Sequence, residues 1–113
     1  MNDVTTTSLL FAAVGFVFVA LGVPLFRGWV KPNDWYGCRT TKTMSSETVW
    51  YAVNRVTGRS MIATGIAVLI SSFIVFLLRS ELNSDFAAAV LLAVLIIGVA
   101  LMVVNSLKVQ KRL

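Results

Sequence analysis

The chain has 113 residues, of which 58% are hydrophobic and only 13% charged, with a mean hydropathy of +0.84. A soluble domain of this length carries about 25% charged residues, so these numbers exclude a water-soluble globule and point to a single membrane-embedded domain over residues 1–113. The formal net charge is +5 and the pI near 10.0.

Three apolar runs contain no Asp, Glu, Lys or Arg: Ser8 to Phe26, Met61 to Leu78, and Phe86 to Val104. A hydrocarbon core of about 30 Å needs about 20 helical residues to cross it, and all three runs are long enough. None alternates with the period of two that marks a barrel strand. The expected fold class is an all-α membrane protein with three transmembrane helices, spanning about 8–26, 61–78 and 86–104.

The first run has small residues at Ala20 and Gly22, as a cleaved leader would. Such a leader carries positive charge ahead of its apolar stretch, whereas no Lys or Arg precedes Arg27, and the run is read as a span. Pro24, near its end, opposes the carbonyl of Ala20 and predicts a kink or helix end there. Small residues recur at seven-residue spacing, at Gly15 and Gly22, at Gly58, Gly65 and Ser72, and at Ala93 and Ala100. That spacing keeps one face in register for close helix packing. The short connection from Arg79 to Asp85 predicts an antiparallel hairpin of the second and third spans.

Nine of the ten basic residues flank one side: Arg27, Lys31, Arg39, Lys42, Arg55 and Arg59 between the first two spans, and Lys108, Lys111 and Arg112 after the third. Arg79 falls on the other side with Asp3, Glu81 and Asp85. The positive-inside rule then predicts a cell-membrane protein with its N-terminus outside and both the loop 27–59 and the tail in the cytoplasm. The basic face suits anionic lipid headgroups better than nucleic acid.

The spans offer little chemistry. Proton-coupled transport needs an ionisable group at membrane depth, and the polar groups within the spans are only hydroxyls such as Thr64, Ser71 and Ser72. One cysteine, Cys38, and no histidine leave neither a disulfide framework nor a zinc site. No cofactor is implied.

Information concentrates in the loop. Trp29, Trp35, Tyr36, Trp50 and Tyr51 are all the Trp and Tyr in the chain, and such residues favour the membrane interface. The loop's first half is rich in turn formers, with Pro32, Asn33, Asp34 and Gly37. In its second half Thr43 or Ser45 can cap a helix, with Glu47 at the positive end of the dipole. A helical projection groups Val49, Trp50, Ala52, Val53 and Val56 on one arc, and Glu47, Tyr51, Asn54, Arg55 and Gly58 on the other. The expectation is an interfacial amphipathic helix over about 45–58, flat on the membrane or docked on the bundle, leading into the second span near Gly58. Its polar face would look to Arg39 and Asp34. The Arg39 fork with the Asn54 amide would make a two-point recognition site, or Arg39 would pair with Glu47 or a loop carbonyl and fix the loop.

The run from Lys31 to Thr40, then Thr43, then Trp50 with Asn54-Arg55 and Gly58, resembles the SdpI family of small bacterial membrane proteins, typified by an immunity protein against a killing peptide. Cys38 stands where a β-branched residue is more usual in that family. The resemblance implies resistance to a membrane-active peptide toxin, with a cytoplasmic transcriptional regulator as a second partner, and no catalytic residue. It implies Arg39, Trp50, Asn54, Arg55 and Gly58 as the signature residues. Pro32, Asn33, Gly37, Thr40 and Thr43 shape the loop, and Trp35 and Tyr36 join the binding surface. Membrane lipids are expected partners, and a homo-oligomer is left open. The competing reading is a small membrane enzyme acting on lipid headgroups. That chemistry needs carboxylates for metal or proton, and the loop has only Asp34 and Glu47.

Overall fold

A computed structural model describes residues 3–113, and among them the chain forms α1 (Asp3–Arg27), α2 (Thr41–Met44), α3 (Glu47–Leu77) and α4 (Ser84–Arg112). α1, α3 and α4 are each long and apolar enough to cross a membrane. They make an antiparallel bundle 51 Å long and about 20 Å wide, longer than the 40–45 Å or so of a bilayer with its headgroup regions.

α1 runs through Pro24 and ends three residues later. Its stop is Gly28, whose φ of +73° is a left-handed conformation that favours glycine. Trp29 N donates to Pro24 O at 2.9 Å and Gly28 N to Leu25 O at 3.3 Å, the paired bonds of a Schellman cap. The proline marks the last turn of the helix, and the glycine four residues on ends it.

Close packing of α1 on α3 follows the seven-residue spacing. A Cβ on Gly22 would lie 2.7 Å from Gly58 O, and one on Gly15 would lie 2.8 Å from Gly65 O. Ser8 and Ser72 stand one heptad further along the two helices, and both are buried. With lipid on the outside, helices gain little from hiding apolar surface and hold together by backbone-close van der Waals contact. Ala93 and Ala100 do not share in this, since both are exposed. α4 meets its neighbours through Ala87, Leu91 and Ser106 instead.

A connection of six residues, 78–83, joins α3 to α4, and Asn83 caps α4 by accepting from Phe86 N at 2.7 Å. Arg79 closes the end of α3, with Nη1 on Phe76 O at 2.9 Å and its guanidinium 4.4 Å over the Phe76 ring. This is the acidic end of the bundle, and the loop and the α4 terminus form the basic end.

The segment 45–58 is not a separate interfacial helix. Ser46, not Thr43 or Ser45, caps α3, and the helix continues unbroken through Gly58 into the span. No proline interrupts it, and a single glycine costs a helix only about 1 kcal/mol. At 1.5 Å per residue its 31 residues reach about 46 Å, which leaves its first three turns beyond the hydrocarbon core. The buried face also differs from the apolar arc. Trp50, Val53, Asn54, Thr57 and Gly58 are buried while Glu47 and Arg55 are exposed, a rotation of roughly a quarter turn at 100° per residue.

Candidate functional site

The loop folds back onto the basic end through turn chemistry local to it. Asn33 Oδ1 accepts from Trp35 N at 3.0 Å and Tyr36 N at 2.7 Å, while Nδ2 donates to Lys31 O at 2.8 Å. This asparagine turn delivers Gly37 to the surface of α3. Gly37 has φ +107°, and a Cβ there would meet Asn54 Oδ1 at 2.8 Å and the Trp50 ring at 3.2 Å. Both the backbone conformation and the space require glycine.

Two side chains one turn apart on α3 then hold the loop at two points. Trp50 is fully buried, and its Nε1 donates to Val30 O at 2.9 Å. Asn54 Oδ1 accepts from Cys38 N at 2.6 Å, and Nδ2 donates to Cys38 O at 3.3 Å and to Trp50 O at 3.0 Å. A buried amide with every group paired is a fixed part of the framework.

Further contacts bring in the other helices. Tyr36 donates its hydroxyl proton to Leu21 O of α1. Thr40 and Thr43 form a capping box around α2. Thr40 Oγ1 donates to Gln110 Oε1 at 2.9 Å and Lys42 Nζ to Gln110 O at 2.8 Å, tying the loop to the end of α4. Thr57 Oγ1 and Ser106 Oγ share a buried bond of 2.6 Å between α3 and α4. Burial raises the pKa of Cys38, partly opposed by its hydrogen bond with Thr57, and burial also raises that of Tyr36. Since the folded state disfavours the thiolate, the contribution of Cys38 to loop docking is undiminished at neutral pH and is lost as pH rises past the ordinary thiol range.

A protein-family model for the SdpI/YfhL protein family matches residues 29–106. The matched segment takes in nearly all of the loop, α2, α3 and most of α4, well over half the chain. The chain belongs to the SdpI/YfhL family. It is therefore a multi-pass membrane protein of a family that is of the immunity type and not a known enzyme family. No curated protein and no solved structure matches it.

The residues expected to form the binding site divide by location. Trp50, Asn54 and Gly58 are buried and Tyr36 is half-buried, all in the framework under the loop. Arg39, Arg55 and Trp35 are exposed, Trp35 to 83%. The structure does not bring Arg39 to Asn54: the amide is consumed by Cys38 and Trp50, and the guanidinium stands outside. Among the described residues no three His, Cys, Asp or Glu side chains gather to hold a metal ion. Sequence reasoning passed over Ser106 and Gln110, because a hydroxyl and an amide on α4 carry no local pattern that marks their partners 49 and 70 residues away. Asn33 was legible as a turn former but not as the hub of that turn.

Proposed function

We propose that the protein protects its cell from a membrane-active peptide toxin, with its N-terminus outside and the loop and tail in the cytoplasm. The observation that carries this reading is the exposed aromatic and basic surface of the docked loop. Trp29 is 68% and Trp35 83% exposed, with Lys31, Arg39 and Arg55 also open to solvent. Bare indole rings on a rigid framework favour a recognition surface, since Trp and Arg dominate the energetics of interfaces. A cationic and aromatic face of this kind suits a peptide held at the inner leaflet, and the same face is open to a cytoplasmic regulator. Asn54 serves this function indirectly by holding the loop in place.

The test is expression in a sensitive bacterium challenged with a panel of membrane-active peptides. Wild type should protect against at least one. Trp35→Ala and Arg39→Lys should each lower protection by about tenfold, the equivalent of roughly 1.4 kcal/mol, while accumulating normally, because neither side chain supports the fold. Lysine keeps the charge of Arg39 but not the planar fork. Full protection by both variants would place recognition elsewhere, and no protection by wild type against any peptide would refute the function.

Orientation is read separately through the single thiol. An impermeant maleimide should leave Cys38 unmodified in intact cells and modify it in inside-out vesicles. The rate should climb at higher pH than for a free thiol, because burial holds back the reactive thiolate. Modification from outside would reverse the assigned topology.

A further inference from the structure

The three long helices close on one another at the acidic end, where Val4 and Phe11 of α1 pack with Val75 of α3 and with Ala87 and Leu91 of α4. At the basic end a cleft of about 360 Å³ separates Leu21 and Leu25 of α1 from Met102, Val103 and Leu107 of α4, with Tyr36 to Cys38 over it. Its volume falls in the range of about 300–1,000 Å³ typical of small-ligand sites.

The polar groups that border this cleft are already partnered inside the protein. The Tyr36 hydroxyl is on Leu21 O, and Thr57 Oγ1 is on Val53 O and Ser106 Oγ, which leaves only the weakly polar Cys38 thiol. A resident water needs two to four free polar partners, and the cleft does not offer them. The fitting occupant is apolar. Both walls end in cations: Arg27 closes α1 two residues beyond Leu25, and Lys108 follows Leu107 on α4, and both are exposed. An apolar slot with two cations past its end matches a chain carrying a negative head.

We propose that the cleft between α1 and α4 binds one acyl chain of an anionic phospholipid, its headgroup phosphate lying by Arg27 and Lys108. The bound chain fills the gap that the loop leaves between the two helices and makes the basic end a closed unit. This site is independent of what the exposed loop surface recognises.

The test is native mass spectrometry of the full chain, delipidated and then exposed to equal amounts of phosphatidylglycerol and phosphatidylcholine. Wild type should retain one phospholipid, with phosphatidylglycerol strongly preferred. Val103→Trp and Leu21→Trp fill the cleft from opposite walls, and each should lose the retained lipid while keeping its helical circular dichroism. The double variant Arg27→Gln, Lys108→Gln should keep a lipid but lose the preference. A second measurement needs no substitution: Cys38 borders the cleft, so adding phosphatidylglycerol to stripped protein should slow its alkylation by an apolar maleimide. Retention by both tryptophan variants at the wild-type level would overturn the proposal. So would equal retention of the two lipids by wild type, unchanged alkylation, or a lipid-free dimer, in which a second copy takes the cleft.

Discussion

Trp50→Ala is expected to lower the stability of the protein by about 3–5 kcal/mol, the range for emptying a large buried aromatic site. The indole is fully buried, lies under Gly37, and donates to Val30 O, so its loss opens a cavity and leaves a carbonyl unpaired together. Trp50→Phe separates the two effects. It keeps most of the apolar volume and loses the bond, and should cost about 1–3 kcal/mol. Lys111→Ala, on the exposed last turn of α4, should stay within about 0.5 kcal/mol of wild type. Unfolding in mixed micelles gives the free energies, and tryptic cleavage at Arg39 and Lys42 reports whether the loop has come away. If Trp50→Ala unfolds with wild type and its loop resists trypsin equally, the indole is not the anchor.

Gly58→Leu should be at least as damaging. A Cβ at Gly58 would lie 2.5 Å from Phe26 N, 2.6 Å from Gly22 O and 2.9 Å from Leu25 Cβ. Two of those neighbours are backbone and cannot rotate aside. Overpacking typically costs about 1–3 kcal/mol and more where nothing yields, so α1 must separate from α3 along the whole seam. The sharper test is Gly58→Ala. On an exposed helix this change gains up to about 1 kcal/mol of propensity, whereas here the contact distances require it to be destabilising. The sign of that one measurement in micelles decides between a close-packed seam and ordinary glycine content. A stabilised Gly58→Ala would refute the seam.

The two substitutions probe features of unequal legibility. Gly15, Gly22, Gly58 and Gly65 announce themselves by a seven-residue spacing, because a helix repeats its face at nearly that period whatever it packs against. The pairing of Gly22 with Gly58 and of Gly15 with Gly65 is not written in either segment alone. Trp50 and Asn54 illustrate the same boundary. The helical projection turns Asn54 toward the first half of the loop with Arg39 as its partner, yet Asn54 is taken by the backbone of Cys38, which is brought to it by the Asn33 turn and the left-handed Gly37.

Three spans, the charge asymmetry of the two ends and the concentration of Trp and Tyr in the loop follow from the sequence by itself, because a bilayer imposes length and apolarity one segment at a time. The family signature is equally local, a run of residues in fixed order. Only the tertiary structure decided which of those residues are framework and which are surface. A docked helix buries whatever its neighbours cover, and for α3 those neighbours are α1, the loop and α4, with Gly15 against Gly65 fifty residues apart in the chain. Trp50, Asn54 and Gly58 went inward and Trp35, Arg39 and Arg55 stayed out, since the partners that satisfy a buried indole or amide are supplied by distant backbone, and no local periodicity encodes them.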